Sequence, residues 1–144
     1  MRIYTVTGES MLPAVGPGER LLVSTTTRAR HPARGDIVVL RAAAGPSSHS
    51  LKRVVGLPGE DVRLSDGILF IGGEYHAEPY LQGLPATVGL GDQSWSLSHD
   101  QYFLMGDNRA HSTDSRHHGP FRSALIVGKA WLRCWPLDRW GAVG

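Results

Sequence analysis

Three places in this chain carry residues that could do chemistry together. The first is Ser10, in Gly8-Glu9-Ser10-Met11-Leu12-Pro13, where a turn-prone Gly-Glu precedes the serine and a proline stops the segment. A serine held in a tight loop after a strand can project its hydroxyl. The commoner use of such a residue is a turn serine bonded to its own backbone. The second is Lys52, in Ser50-Leu51-Lys52-Arg53-Val54-Val55-Gly56. In a strand, Lys52 shares a face with Ser50 and Val54, while Leu51, Arg53 and Val55 face the other way. Both faces carry apolar residues, which predicts that one of the two cations is partly buried. Desolvation disfavours the ammonium, so a buried lysine can act as a base near neutral pH. Arginine cannot, because its guanidinium stays protonated. A neutral lysine beside a serine hydroxyl is one route to an activated nucleophile. The competing use of a strand lysine is to reach solvent from an edge.

The third place is Gly106-Asp107-Asn108-Arg109-Ala110-His111-Ser112-Thr113-Asp114-Ser115-Arg116. Asp107 and Asp114 could pair with Arg109 and Arg116, and such pairs hold a loop in one shape. Ser112 and Ser115 could hydrogen-bond a neighbouring amine. Composition alone favours a solvated polar loop.

These residues need elements to position them. Glycine (18) and proline (9) are frequent and spread out, and β-branched residues cluster in short runs between them, the pattern of an all-β domain with many turns. Strands are predicted over Ile3 to Thr7, Arg20 to Thr26, Asp36 to Arg41, Ser50 to Gly56, Asp61 to Leu64, Ile68 to Ile71, Glu74 to Leu81 and Gln101 to Met105. A long last strand runs from Leu125 to Trp135, bent at Gly128. The continuous apolar centre Ile37-Val38-Val39-Leu40 predicts burial on both faces. Ser65-Asp66-Gly67 is a hairpin signal, and Pro79 marks an edge. Residues 82–100 read as loop, Ala42 to His49 as a mobile small-residue loop and Arg28 to Gly35 as a polar loop. No amphipathic helix longer than a turn or two is predicted.

The bulk numbers narrow the function class. A chain of 144 residues is a single domain, and it can bury a core without disulfides. Fifteen basic and thirteen acidic residues leave a net charge of +2, too slight to argue for nucleic acid, and no basic run stands out. Cys134 is the lone cysteine, which excludes an intrachain disulfide and a cysteine-based zinc site. No apolar run approaches the roughly eighteen residues of a membrane span, and the N-terminus lacks the long apolar region of a signal peptide.

Taken together, the segments resemble the signal peptidase I family, serine–lysine endopeptidases that remove leader peptides. Ser10-Met11-Leu12-Pro13 is similar to the family's serine box and Gly35-Asp36-Ile37-Val38-Val39 to the next. Lys52-Arg53-Val54-Val55-Gly56-Leu57-Pro58-Gly59-Glu60 resembles the lysine box. Gly106-Asp107-Asn108-Arg109, then Ser112, Asp114-Ser115-Arg116 and Gly119-Pro120, resemble the last box. Weaker likenesses lie in Glu78-Pro79-Tyr80-Leu81 and in Val127-Gly128-Lys129-Ala130 with Arg133 and Trp135-Pro136-Leu137. The boxes keep the family's order and span nearly the whole chain.

The resemblance implies a mainly β fold, a core of antiparallel sheets with a small inserted β region roughly over 57–98. It implies Ser10 as nucleophile and Lys52 as general base, with Ser112 orienting the lysine. Asp114 and Arg116 would form a supporting ion pair, and Asp107 and Arg109 would shape the same loop. The Ser10 N–H would hold the oxyanion, since Gly8 supplies no hydroxyl. Met11, Leu12 and Val54 would exclude water and line the substrate site. No cofactor or metal is implied, and the partner is a peptide or preprotein. Family members begin with membrane-spanning segments, whereas nine residues precede Ser10 here. Two expectations follow: a soluble chain, cytoplasmic where Met1 is the native start, or part of an anchored protein facing the extracytoplasmic side. In either case membrane contact would come from a missing segment or exposed apolar surface.

Three rival readings stand beside this one. A Ser–His–Asp hydrolase is arithmetically possible with seven histidines, but Gly8 to Leu12 lacks the second glycine of a nucleophile elbow and no strand–turn–helix follows. His111, Asp114, His117 and His118 could bind a metal, though a polar loop is the better reading. A naturally soluble relative could have been recruited to specialised peptide maturation, small-molecule biosynthesis or partner binding, because fold does not dictate function.

Overall fold

The computed structural model describes residues 1–41 and 49–144. Among them, short apolar and β-branched runs between glycine and proline turns form twelve strands: β1 (Arg2–Thr5), β2 (Arg20–Ser24), β3 (Ile37–Arg41), β4 (His49–Gly56), β5 (Asp61–Ser65), β6 (Ile68–Ile71), β7 (Glu74–Tyr75), β8 (Gln93–Ser96), β9 (Gln101–Met105), β10 (Phe121–Arg122), β11 (Ile126–Trp135) and β12 (Gly141–Ala142). The mainly β, antiparallel expectation holds. A large sheet runs β1-β2-β11-β3-β4-β9-β10, with β12 on β11, and a smaller one runs β7-β6-β5-β8. The smaller sheet is built between Asp61 and Ser96, in the connection from β4 to β9. Apart from His49, the small-residue loop expected over Ala42 to His49 lies outside the described residues. No helix among the described residues is long and apolar enough to cross a membrane.

Three packed clusters hold the sheets in place. Val6, Met11, Val15, Leu21, Ile37, Val39 and Leu51 bury the turn after β1 against β2, β3 and β4. Val38, Leu40, Val54, Leu104 and Ile126, from β3, β4, β9 and β11, form a second cluster, and β3 feeds both, which accounts for its unbroken apolar run. Val55, Phe103 and Met105 meet Val62, Leu64, Leu69 and Leu97 of the smaller sheet. Each large side chain buried in this way contributes about 1.5–3 kcal/mol. Lys52 sits near the middle of β4, opposite Val38 of β3, and the same strand pairs with β9 on its other side through Arg53↔Met105 and Val54↔Leu104. Lys52 is therefore on an inner strand, not an edge.

The structure departs from the sequence expectations in the smaller sheet. Glu74 to Leu81 is not one strand: β7 ends at Tyr75, and Pro79–Leu81 is a 3-10 turn opened by the proline, which has no N–H to give a ladder. Residues 82–100 are not all loop. β8 pairs with β5, Val62 opposite Trp95, and the Trp95 ring lies 4.5 Å from that of Phe103. Its Gln-Ser-Trp-Ser sequence has a single large apolar residue, too little to show an alternation. A 3-10 turn, Arg28–Arg30, also forms within the polar loop.

Candidate active site

Ser10 opens a turn five residues after the last residue of β1, Thr5. Leu12 N–H bonds the Glu9 carbonyl and Val15 N–H bonds that of Met11, while Met11 and Val15 are buried beneath. From the other side the loop after β9 grips the serine. Asn108 N–H donates to the Ser10 carbonyl at 2.9 Å, and Asn108 Nδ2 donates to the Glu9 carbonyl at 3.1 Å. Gly106 makes this approach possible: a Cβ there would collide with the Ser10 carbonyl oxygen and the Ser112 side chain. Ser10 is thus fixed by two elements far apart in sequence, with its hydroxyl toward β4.

Lys52 Nζ stands 3.2 Å from Ser10 Oγ. That separation suits a hydrogen bond in either direction: an ammonium donates to the hydroxyl, a neutral amine accepts from it. Lys52 is only 6% exposed. Burial pushes its pKa below the ordinary lysine value; the Asp114 carboxylate pulls the other way and the Arg116 guanidinium adds to the fall. The shift is toward the neutral amine, the form that can take a proton from serine.

Asp114 organises the loop. Its carboxylate, fully buried, accepts from Arg116 Nε and Nη2 at 2.9 Å each, from Gly106 N–H at 3.0 Å and from the Ser112 hydroxyl at 2.8 Å. Burial alone would raise its pKa. The Arg116 hydrogen bonds and charge outweigh that, helped by Gly106 and Ser112, and hold the carboxyl below the usual carboxylate range. Asp114 also caps the short helix α1 (Ser115–His118) through a reciprocal box, its own N–H donating to His117 Nδ1. His117 is thereby occupied as a cap, and no group of three potential metal ligands gathers among the described residues.

The structure places the remaining expected residues as follows. Ser112 donates its proton to Asp114 and forms no hydrogen bond with Lys52. Asp107 does not pair with Arg109. It receives Arg53 Nε and Nη2 at 2.8 and 2.6 Å, because the β4–β9 register sets Arg53 opposite Met105, the last residue of β9 and two residues before Asp107. Arg53 is buried along with Lys52, at 4% exposure, so both cations are enclosed, not one. Its charge is met by Asp107, by the Gly35 carbonyl at 2.7 Å and by the Tyr80 ring 4.1 Å away. Arg109 turns to the smaller sheet's connections instead, gripping Glu78 with both Nη atoms and the Ala86 carbonyl at 2.8 Å. Met11 and Val54 are core residues with almost no exposed surface; of the three expected wall residues only Leu12 is exposed.

Glu78, Arg53 and Asn108 are the site-shaping residues that residue-by-residue reading missed. Their chemistry depends on partners 31, 54 and 99 positions away. The signal available for each was the motif that holds it: Glu78-Pro79-Tyr80-Leu81, the Lys52-Arg53 box and Gly106-Asp107-Asn108-Arg109.

A cavity of ≈ 100 Å³ opens beside Ser10, walled by Tyr4, Val6, Gly8, Met11 and Leu51. The Tyr4 hydroxyl, donating to the His49 carbonyl at 3.1 Å, bridges β1 to β4 there. The His49 ring faces Tyr4 edge-on, and no histidine hydrogen-bonds Ser10 among the described residues.

A family model described as signal peptidase, peptidase S26, matches residues 1–135. Signal peptidase I of Leptolyngbya laminosa is 35% identical over 96% of this chain and 71% of its own length. Signal peptidase I P of Bacillus subtilis subsp. natto is 37% identical over 94% of this chain and 78% of its own length. Signal peptidase I T of Bacillus subtilis (strain 168) reaches 39% identity over 94% and 74%. The crystal structure of a signal peptidase I from Enterococcus faecalis V583 superposes with a TM-score of 0.58 at 29% identity, covering 68% of this chain and 95% of that one. The family match spans the serine turn, the lysine strand and the capped loop alike, and the chain belongs to the signal peptidase I family.

Proposed function

We propose that the chain is a serine endopeptidase that cuts leader or signal peptides from preproteins, with Ser10 as nucleophile and Lys52 as general base. The observation that carries this reading is the 3.2 Å contact between Ser10 Oγ and a buried lysine whose pKa is lowered. Ser10 Oγ attacks the scissile carbonyl while its proton passes to neutral Lys52. The resulting ammonium then protonates the departing amine, which leaves as the new N-terminus of the product. Lys52, neutral again, takes a proton from a water that attacks the acyl carbonyl, and returns that proton to Ser10 Oγ as the acyl–oxygen bond breaks and the peptide leaves as its acid. The Ser10 N–H, which has no partner among the described residues, is available to the oxyanion. Asp114 and Arg116 fix the loop that locks Ser10 in place, and Ser112 belongs to the same network. The ≈ 100 Å³ cavity is far below the ~300–1,000 Å³ of sites for larger ligands and suits a small side chain just before the cut.

A fluorogenic leader peptide tests this. The wild type should cleave it, and Ser10→Ala and Lys52→Met should each lose about 10²–10⁴-fold in rate or more, with their folds intact by circular dichroism. Equal rates for wild type and Ser10→Ala would end the proposal. Loss of activity in His49→Ala with Lys52→Met unaffected would favour a histidine base instead.

A further inference from the structure

A second concavity, of ≈ 290 Å³, lies on the far side of the serine turn. Leu12 and Pro13 form one wall, Leu84, Pro85 and Val88 the opposite wall, and Asn108 to Ala110 part of the floor. Its rim carries exposed apolar side chains: Leu84 is 67% exposed and Val88 52%. Apolar side chains grouped and uncovered in this way mark a site of contact. The charged residues that border the groove are already matched. Asp107 is held by Arg53, and Arg109 by Glu78, the Ala86 carbonyl and the Gly106 carbonyl. The groove therefore presents a neutral surface.

Its place relative to Ser10 identifies the occupant. Tyr4, Val6 and Gly8, before the serine, line the small cavity together with Met11 directly after it, while Leu12 and Pro13 line the groove. Asn108 joins the two, since it forms part of the groove floor while bonding the Ser10 and Glu9 carbonyls. A polypeptide with the side chain before its scissile bond in the small cavity has this floor next to it once it passes Ser10. Resting on the Ser10/Lys52 reading, we infer that the groove binds the first residues after the scissile bond, the start of the released product, and favours uncharged and apolar side chains there. The smaller sheet's connection, through Leu84 and Val88, is then a specificity element for the product side of the cut.

The test uses two peptides identical up to the cut. One continues for about four apolar residues; the other ends in a small chromogenic amide. For the double variant Leu84→Lys/Val88→Lys, the ratio of kcat/KM between the long and short peptides should fall about tenfold, roughly the worth of partly burying one apolar side chain. Acidic residues after the cut should recover part of that loss. Ile68→Lys, an exposed apolar position outside the groove, should leave the ratio at its wild-type value. An unchanged ratio in the double variant, with both peptides still cut, overturns the groove proposal and leaves the dyad reading standing. If wild type cuts neither peptide, or Ser10→Ala cuts both equally, the dyad reading fails and takes this inference with it. Photo-crosslinking in Ser10→Ala separates the remaining occupants. A probe after the cut should label Leu84 or Val88. Labelling there only from a probe before the cut, or a wild-type dimer that the double variant dissolves, would assign the groove elsewhere and overturn the proposal.

Discussion

Replacing Asp114 by Asn changes no shape and removes one charge, so it isolates what the carboxylate does. Oδ1 accepts from Arg116 N–H and Nε, and Oδ2 from Arg116 Nη2, Gly106 N–H and Ser112 Oγ. Whichever oxygen becomes an amide nitrogen, a donor then faces an Arg116 donor. Arg116, 4% exposed, is left as a buried cation without its counter-charge. Breaking a buried pair from one side costs about 3–5 kcal/mol, a large share of the ~5–15 kcal/mol that holds a domain together. Urea unfolding should therefore show a loss of about that size near neutral pH. Because the folded carboxyl titrates below its ordinary value of 3.8, its stabilisation is complete above that value and disappears as pH falls through the lower folded one. The gap between wild type and variant should accordingly stay constant down to about pH 4 and close below it. Asp114 also raises the Lys52 pKa against burial and Arg116. With it gone, the acid limb of the kcat/KM profile should move to lower pH. A stability loss under about 1 kcal/mol, or an acid limb moved to higher pH, would refute this account of the loop.

Two further changes probe the positioning of Ser10. Gly106→Ala drives a Cβ into the Ser10 carbonyl and the Ser112 side chain; it should cost about 1–3 kcal/mol in thermal or urea unfolding and lower kcat with little change in KM. Glu78→Gln leaves the buried Arg109 short of its counter-charge and should destabilise by about 3–5 kcal/mol, read by urea unfolding, while the pH midpoint of kcat/KM stays at the wild-type value because Glu78 is not among the charges acting on Lys52.

What could be read from the sequence followed the range of the interaction only in part. Asp114 and Arg116 are two positions apart and pair as expected, whereas Asp107 and Arg109, at the same spacing, take other partners, so closeness in sequence alone did not decide the pairing. Burial of β3 on both faces was visible in Ile37 to Leu40. The meeting of Ser10 and Lys52, across 42 positions, was suggested by residue chemistry and sharpened by the family's boxes. The partners of Asp107 and Arg109 were not legible, because partner choice depends on strand register. Arg53 sits opposite Met105 and so takes Asp107, which frees Arg109 for Glu78 on the smaller sheet's side. Both cations of β4 are buried for the same reason: β4 is an inner strand, and the aspartate that allows Arg53 to be enclosed arrives from β9. Strand β8 was hidden because Trp95 is its one large apolar residue, and its edge pairing with β5 carries no local mark.

The central claim is that buried Lys52, in its neutral form, activates Ser10. The rate at which an active ester acylates Ser10, read as a mass gain mapped by peptide mass spectrometry from about pH 5 to 10, tests it most directly. The account predicts a wild-type rate that rises through a single titration below the ordinary lysine range and then levels off, and near-complete loss in a folded Lys52→Met variant. Acylation of Ser10 at the wild-type rate in Lys52→Met, or a mass gain that maps to another residue, would contradict it.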